Sequence, residues 1–473
     1  MKVRNPRTGE EDYEISPASS DDIAREATRL RAAQPGWLAL GAEGRAAVLI
    51  RWADAIEAAM PALVERLSID TGRVGIAKVE VMSIAGTLRR WAATAPRIIA
   101  AMDTNAVPSA TPGVMLDSRH VPYRLLGVIA PWNFPLLLGL IDAIPALAAG
   151  CAALIKPSEV TPRFIPELRR TVEGIPELAA VVAIVEGDAA TGQAIVDHVD
   201  YVCFTGSVAT GRKVAEAAAR AFIPANLELG GKDPMIVLAS ADPTQAAAIA
   251  LRSSVAANGQ ACQSIERIYV DRAIAAPFLE ALVAGAKAVR LNYPDIASGE
   301  IGPFIFPPQA DKVAAQIAEA VAGGARVLAG GTIETLGGGK YLRPTVIVDV
   351  TPQMSVIKDE TFGPVIPVTV FDEVEDAIRL SNDSIYGLSA AVIGEEAEAV
   401  AVGERIEAGA ISINDGSMTA GVWDAENASF KSSGMGPSRM GDAGLTRFFR
   451  VKAIIRQTGA ALPIQAYAEE NFA

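Results

Sequence analysis

Short apolar runs alternate with longer stretches of helical periodicity between residues 124 and 240. The runs predict strands at residues 125–129, 152–155, 181–185, 201–204 and 235–238, and the stretches between them predict helices at 136–148, 162–172, 190–196 and 210–219. The strand runs are apolar throughout, which is typical of parallel strands that are covered on both faces. The alternation therefore predicts an α/β fold with a parallel sheet wrapped by helices.

Two further regions flank this sheet. In residues 20–101, Leu49, Trp52 and Ile56 recur at helical spacing, so we expect helices that pack on the sheet. Residues 255–413 carry a second alternating series, with strands predicted near 267–270, 325–328, 366–371 and 410–413, and with the glycine-rich residues 323–339 as loops around a strand. This series predicts a second α/β domain.

Length and charge narrow the class of protein. A chain of 473 residues exceeds one hydrophobic core, which stops growing near roughly 250–300 residues. The net charge of −13 carries no basic stripe, so we expect neither nucleic acid nor a membrane surface as a partner. The apolar residues 136–155 contain Asp142 and Pro145, which favours a buried helix and strand over a membrane span. The first residues lack the apolar run of a secretory signal, so we expect a cytoplasmic protein.

Three cysteines stand far apart, so neither a disulfide framework nor a metal site is predicted. Cys151 and Cys203 lie in apolar runs, where cysteine behaves as a small buried hydrophobe. Cys262 lies in the turn-prone residues 258–264, where a thiol nucleophile could be held exposed. The two histidines, His120 in a polar turn and His198 between carboxylates, are expected to be solvated. A general base is therefore expected to be a carboxylate or a lysine.

Two polar residues stand in apolar or rigid surroundings. Glu228 ends an apolar strand before two glycines, where burial would suit a base near neutral pH, although an ion pair with Lys232 is the alternative. Asn133 lies in a turn between two prolines, where its amide could donate to a developing oxyanion or could cap the following helix.

Together these segments resemble the aldehyde dehydrogenase superfamily, whose members carry the motifs PWNFP, LELGGK and GQxC. The likeness extends to residues 5–9, 155–159, 204–207 and 360–364. It implies a Rossmann-like, parallel-sheet NAD-binding domain over residues 1–103 and 123–231, an α/β catalytic domain over 232–447, and a small oligomerisation β-element over 104–122 and 448–473. It also implies a homodimer or a homotetramer.

The resemblance implies oxidation of an aldehyde to the carboxylic acid. Cys262 would attack the aldehyde, Asn133 and the Cys262 backbone N–H would hold the oxyanion, and hydride would pass to the nicotinamide. Water activated by Glu228 would then hydrolyse the thioester. A thiol hydrolase or acyltransferase without redox chemistry, and a non-enzymatic binding protein on the same fold, are the rival hypotheses.

The resemblance also implies a cofactor site without a GxGxxG loop. Glu159 would accept the ribose hydroxyls and repel a 2′-phosphate, which favours NAD, with NADP as the alternative. The expected cofactor-binding residues are Ile129, Trp132, Lys156, Glu159, Gly187, Phe204, Gly206, Ser207, Gly211, Leu229, Glu360 and Phe362.

By the same likeness, the substrate-binding residues are Phe134, Leu138, Ile141, Gln263, Trp423 and Phe430. They are mostly apolar, so we expect an uncharged aromatic or medium aliphatic aldehyde. Some semialdehyde oxidisers place an arginine near the position of Ile141 to bind the substrate carboxylate, so its absence here disfavours a semialdehyde. The C-terminal motif departs from the family, since Ala428-Ser429 replace a glycine pair and Pro437-Ser438 replace Arg-Glu. That Glu is proposed to relay protons in some relatives, so the proton route from Glu228 is left open.

Overall fold

The computed structural model describes residues 1–472 and is built from helices, two large sheets and four two- or three-stranded sheets. The helices are α1 Ser20–Ala39, α2 Gly41–Ala58, α3 Met60–Thr71, α4 Val74–Met102, α5 Pro135–Leu140, α6 Ala143–Ala149, α7 Ile165–Glu173, α8 Pro176–Val181, α9 Ala189–His198, α10 Val208–Ala221, α11 Pro243–Val255, α12 Arg272–Ala288, α13 Pro307–Ala322, α14 Ser355–Lys358, α15 Val374–Asn382, α16 Glu396–Gly403 and α17 Ala443–Thr446.

The strands fall into six sheets. They are β1 Lys2–Arg4, β2 Glu11–Glu14, β3 Thr104–Pro108, β4 Val114–Pro122, β5 Leu125–Ile129, β6 Ala152–Lys156, β7 Val182–Ile184, β8 Tyr201–Thr205, β9 Ala225–Glu228, β10 Asp233–Val237, β11 Ile265–Asp271, β12 Arg326–Ala329, β13 Ile333–Leu336, β14 Gly339–Leu342, β15 Thr345–Val348, β16 Val365–Phe371, β17 Tyr386–Gly387, β18 Ser389–Ile393, β19 Ala410–Ile413, β20 Phe430–Lys431, β21 Gly434–Met435 and β22 Phe449–Gln457.

The first large sheet has six strands in the order β21-β9-β8-β5-β6-β7. All neighbours pair in parallel except β21, which runs antiparallel to β9. Helices cover both faces, and Leu49, Trp52 and Ile56 of α2 are fully buried in the same core as the strands. The strands predicted at 125–129, 152–155, 181–185 and 201–204 and the helical character of residues 20–101 are confirmed, whereas the strand predicted at 235–238 is β10 and belongs to the second large sheet.

The second large sheet has seven strands in the order β12-β15-β16-β11-β10-β18-β19. Its neighbours pair in parallel apart from β12, which is antiparallel to β15. The hydrophobic clusters beneath this sheet are separate from the core of the first sheet. The α/β fold class is confirmed, whereas the domain boundaries given above stay a prediction.

A third sheet joins distant parts of the chain in the order β22-β4-β3. The hairpin β3–β4 pairs along its whole second strand with β22, from Pro122 opposite Phe449 to Val114 opposite Gln457. His120 lies within β4, where it contacts Asp103, so its placement in a polar turn was wrong. The pairing of β4 with strands on both sides explains the extended backbone there.

The single helix predicted over residues 136–148 is also wrong, because the chain forms α5 and α6 with a break at Ile141 and Asp142. Pro145 has no backbone N–H to donate to the carbonyl of Ile141, which favours the interruption. Both short helices are buried. Among the helices that the structure describes, none is long and apolar enough to cross a membrane.

The glycine-rich residues 323–339 were expected to form loops around one strand, and this is correct only in part. They include β12 and all of β13, which pairs as a hairpin with β14.

Candidate active site

Cys262 lies in a tightly anchored loop between α11 and β11. The preceding residues Ala257, Asn258 and Gly259 have φ values of 53°, 63° and 65°, a left-handed run that side chains disfavour. A Cβ on Gly259 would lie 2.4 Å from the Gly363 backbone, so only glycine fits. The Asn258 side chain donates to the carbonyl of Pro303 at 2.7 Å and accepts from the N–H of Gly302 at 2.8 Å. These bonds hold the strained loop in place.

Cys262 as a residue is half-buried, whereas Cys151 and Cys203 are fully buried inside the first core. Burial, aided by the carboxyl groups of Asp233 and Glu360, raises the pKa of Cys262 to about 12. Burial also raises the pKa of Cys151 and Cys203. Cys262 is the one of the three that faces a cavity, and its thiol must lose a proton before it can act as a nucleophile.

Asn133 lies between the end of β5 and the start of α5 and is 3% exposed. Its side-chain amide donates to the backbone carbonyl of Gln260 at 3.0 Å. The residue that precedes α5 as its N-cap is Phe134, and no side chain caps this helix. The alternative that Asn133 is a helix cap is therefore wrong, because its amide is directed at the loop of Cys262.

Arg73 connects the turn of Asn133 to the loop of Cys262 through their backbone carbonyls. One guanidinium nitrogen donates to the carbonyl of Ala257 at 3.1 Å, and the other donates to the carbonyl of Asn133. The guanidinium also lies 5.3 Å from the centre of the Phe134 ring. Desolvation lowers the pKa of Arg73 to about 10, so it remains a cation at neutral pH.

Glu80 of α4 lies beneath the same turn. One of its oxygens accepts from the backbone N–H groups of Leu136 and Leu137, both at 3.0 Å. Burial raises the pKa of Glu80 to about 7, opposed by those two N–H groups and by Arg73. Buried polar groups outside the cavity thus fix the turn that carries Asn133.

Glu228 ends β9 and is bonded by the C-terminal part of the chain. Its carboxylate accepts from the hydroxyl of Ser429 at 3.0 Å and lies 3.7 Å from Nε of Arg439. Lys232 pairs instead with Glu266 at 2.7 Å, so the alternative ion pair between Glu228 and Lys232 is wrong. Glu228 itself does not line the cavity that Cys262 faces, although Leu229 and Gly230 do.

A cavity of about 560 Å³ runs between the two large sheets. It begins at the carboxyl ends of β5, β6 and β8, where ligands bind in open parallel sheets, and it reaches Cys262. Ten of the residues expected to bind cofactor line the cavity: Ile129, Trp132, Lys156, Glu159, Phe204, Gly206, Ser207, Leu229, Glu360 and Phe362. It also contains Asn133, Cys262 and the expected substrate residue Leu138.

One end of the cavity is polar. The ammonium of Lys156 lies 3.2 Å from the carboxylate of Glu159. Ser207 caps α10, accepting from the N–H of Thr210 at 3.3 Å, so the positive end of this helix faces the cavity. Hydroxyl groups and phosphates are the ligands that such an arrangement suits.

The other end of the cavity is aromatic, around the loop of Glu360 and Phe362. The buried pair Lys232–Glu266 holds this loop, because Glu266 accepts from the N–H groups of Thr361 and Phe362, both at 2.7 Å. Trp132 meets Phe362 edge-on at 5.4 Å. Glu360 accepts from the N–H of Gly231 at 3.1 Å, and burial raises its pKa to about 7.

The remaining expected residues lie outside the cavity. Gly187 and Gly211 pack against Thr191 and Leu229, respectively. The substrate residues outside it are Phe134 against Arg73, the buried Ile141, Gln263 beside Thr419, Trp423 beneath Arg90, and Phe430, which is 47% exposed. Their roles stay a prediction.

Sequence reasoning missed several lining residues. Phe306 and Gln309 close the cavity opposite Trp132, with the rings of Trp132 and Phe306 6.0 Å apart. Lys213 lines the polar end. Phe306 and Gln309 flank the proline pair that begins α13, which was the signal for a helix start close to a loop.

The residues present fit a dinucleotide. The cavity is lined by a carboxylate, an ammonium and a helix N-terminus at its polar end and by aromatic walls near Cys262. No cluster of metal-ligating side chains exists within residues 1–472.

Comparisons with known proteins point to one family. Residues 1–454 match the model of the aldehyde dehydrogenase family. A Mycolicibacterium smegmatis protein, named putative succinate-semialdehyde dehydrogenase (NADP+), is 35% identical over 448 residues, which cover 93% of this chain and 86% of that protein.

Solved structures similar to this chain are also named aldehyde dehydrogenases. The structure of the putative aldehyde dehydrogenase PutA from Anabaena variabilis is 47% identical, with a TM-score of 0.95 and 98% of both chains covered. Betaine aldehyde dehydrogenase from Staphylococcus aureus, solved in complex with NAD+, is 29% identical with a TM-score of 0.90, covering 98% of this chain and 92% of that one.

Proposed function

The chain belongs to the aldehyde dehydrogenase family and is an NAD(P)-dependent aldehyde dehydrogenase, and on that premise we propose that Cys262, Asn133 and Glu228 carry its chemistry. The observation that carries this proposal is the bond from the Asn133 amide to the carbonyl of Gln260, two residues before Cys262. It joins an amide donor to the loop of the one cysteine that faces the cavity.

In the first half of the reaction, the thiol proton of Cys262 passes to solvent water, and the sulfur forms a bond to the aldehyde carbon. The carbonyl oxygen then carries the negative charge. A side-chain amide has two N–H groups, and the one not bonded to Gln260 can donate to this oxygen together with the Cys262 backbone N–H. The bound cofactor supplies the acceptor for the hydride of this carbon. As the hydride leaves, the C–O double bond re-forms, which leaves a thioester on Cys262.

In the second half, the thioester is hydrolysed. Glu228 takes a proton from a water molecule, the water oxygen attacks the thioester carbon, and the C–S bond breaks to release acid and thiolate. Glu228 must turn toward Cys262 for this step, because in the structure it is bonded to Ser429 instead. The test is to mix enzyme, NAD+ and a panel of aldehydes while following reduced cofactor. NAD+ binding without oxidation of any aldehyde would favour the rival thiol hydrolase.

For the cofactor, we propose that Lys156 and Glu159 bind the adenosine ribose and that NAD+ is preferred over NADP+. The carboxylate of Glu159 suits ribose hydroxyls and repels a phosphate. Lys213 also lines this end, and the Mycolicibacterium relative is named for NADP+, so NADP+ is the competing cofactor. Comparison of kcat/KM with the two cofactors decides, and Glu159→Gln should shift the ratio toward NADP+.

For the substrate, we propose an uncharged aromatic or medium aliphatic aldehyde. The cavity beside Cys262 is walled by Trp132, Leu138 and Phe306. Arg73 donates to two backbone carbonyls, so it is not free to bind a substrate carboxylate. Succinate semialdehyde is the competing substrate, because of the name of the Mycolicibacterium relative. A preference for it over benzaldehyde and hexanal in kcat/KM would overturn the proposal.

For assembly, we propose a homodimer or homotetramer through β22. Val451 and Ile455 on this edge strand are 66% and 69% exposed, and exposed apolar edges favour pairing with another chain. Light scattering should give at least a dimer, and Val451→Lys with Ile455→Lys should give a monomer. The cytoplasmic location stays a prediction, supported by the need to keep the Cys262 thiol reduced.

A further inference from the structure

Two residues of the C-terminal segment hold the carboxylate of Glu228 in different ways. The Ser429 hydroxyl donates to one oxygen at 3.0 Å, and Nε of Arg439 lies 3.7 Å from the other. Neither residue lines the cavity that Cys262 faces. Both contacts to the base are therefore made by residues outside that cavity.

Arg439 is fixed from several directions. Its guanidinium donates to Asp142 at 3.0 Å and to the hydroxyl of Thr205 at 2.9 Å. Asp142 is 1% exposed and also accepts from Arg447 at 2.6 Å. Among the described residues, Nε of Arg439 has no hydrogen-bond partner, and it lies 3.7 Å from the carboxylate of Glu228. These bonds hold the Arg439 guanidinium next to the carboxylate of Glu228.

Ser429 contacts the proposed base Glu228 and is also partly exposed to solvent. It is half-buried between the exposed residues Ala428 and Phe430. A Cβ on Gly434 would lie 2.6 Å from the Ser429 Cβ, so the bare glycine makes room for this side chain. A hydroxyl both donates and accepts hydrogen bonds, whereas a guanidinium only donates. Of the two partners of Glu228, only Ser429 can pass a proton.

We infer that Ser429 relays the proton from Glu228 to solvent and that Arg439 is a positioning residue that returns the carboxylate to Ser429 after each turnover. This inference rests on the proposed role of Glu228 as base. After deacylation, Glu228 carries the proton taken from water. The Ser429 oxygen accepts this proton while its own passes to a solvent water, so that Glu228 is again a carboxylate and Ser429 is again neutral. Arg439 stays protonated throughout.

The test compares Ser429→Ala with Ser429→Thr, which keeps the hydroxyl. Rapid mixing with NAD+ and aldehyde separates the first turnover from later ones. We expect the first turnover of Ser429→Ala to proceed at the wild-type rate and later turnovers to be about tenfold slower. This loss is smaller than the full contribution of a positioned proton-transfer group. Added imidazole or phosphate should restore the later turnovers, and the threonine variant should behave as wild type. Ser432→Ala is the matched control, because that hydroxyl contacts Arg212 instead.

Arg439→Met and Arg439→Lys test the positioning role. The methionine variant should slow later turnovers without rescue by buffer, and the lysine variant should restore part of the rate. Wild-type turnover in Ser429→Ala, or slow turnover that no buffer restores, overturns the relay. Wild-type turnover in Arg439→Met overturns the positioning role.

A separate variant distinguishes this inference from the proposed function. If Glu228→Gln stalls after the first turnover while Ser429→Ala does not, only the relay is wrong. If Glu228→Gln turns over normally, the role of Glu228 as base is itself wrong.

Discussion

The side-chain amide of Asn133 donates to the backbone carbonyl of Gln260 at 3.0 Å, across the gap between the two large sheets. Asn133 follows β5 of the first sheet, and Gln260 precedes β11 of the second. Arg73 bridges the same gap through the carbonyls of Asn133 and Ala257. The proposed oxyanion donor and the proposed nucleophile are thus placed relative to each other by bonds that neither has to break during catalysis.

Removal of the Asn133 amide tests its role as oxyanion donor. We expect Asn133→Ala to lower kcat about 100- to 1,000-fold, the usual loss when one such donor is removed. The Kd for NAD+, measured by quenching of protein fluorescence, should stay near the wild-type value. A kcat within about threefold of wild type would assign the oxyanion to other donors.

The raised pKa of Cys262 predicts how its alkylation depends on pH. Only the thiolate reacts with iodoacetamide, and with a pKa of about 12 its fraction rises about tenfold for each pH unit up to that value. The alkylation rate of the free enzyme, followed by mass spectrometry, should therefore still be rising at about pH 10. An ordinary thiol levels off near its pKa of about 8.5, so a plateau by about pH 9 would contradict the burial of this thiol.

The raised pKa of Glu360 predicts weaker cofactor binding at low pH. The carboxylate is ionised above about pH 7, where it can accept from ribose hydroxyls, and it is protonated below that pH. We expect the Kd for NAD+ to rise up to about tenfold between pH 8 and pH 6, the value of one charge-assisted hydrogen bond. Glu360→Gln should flatten this dependence, and an unchanged pH dependence in that variant would assign the effect to another group.

Glu80 is expected to stabilise the Asn133 turn and hence the folded state. Glu80→Ala leaves the N–H groups of Leu136 and Leu137 without their acceptor, which should cost about 2–4 kcal/mol in the free energy of unfolding. Glu80→Gln keeps an acceptor oxygen and should cost less. The control is Glu26→Ala, since Glu26 forms an exposed pair with Arg29 that contributes about 0–1 kcal/mol. Equal losses in Glu80→Ala and Glu26→Ala, measured by denaturant unfolding, would be inconsistent with this role.

Periodicity predicted most strands of both large sheets because buried parallel strands are apolar along their whole length, but it missed β15, β18 and β21. It did not predict the break between α5 and α6, where Asp142 accepts from Arg439 and Arg447, which lie about 300 residues later in the chain. A pattern that registers only local spacing cannot contain such long-range pairs. The strand character of His120 escaped it for the same reason, because β4 is held by the distant β22.

The site was predicted unevenly. Short sequence motifs singled out Asn133, Glu228 and Cys262 as candidates, since each side chain lies in a tight turn or at a strand end that has its own local sequence pattern. The partners of Glu228 could not be predicted, because Ser429 and Arg439 reach it only through the pairing of β21 with β9. Phe306 was missed because its contact with Trp132 depends on how the two sheets face each other.

We propose that catalysis passes through a thioester on Cys262 that Glu228 resolves. The most direct measurement is mass spectrometry of Glu228→Gln quenched in acid after mixing with NAD+ and an aldehyde, followed by peptide mapping. We expect one acyl group per chain, on the peptide that contains Cys262, together with one equivalent of reduced cofactor. Reduced cofactor formed without an adduct, or an adduct on Cys151 or Cys203, would contradict it.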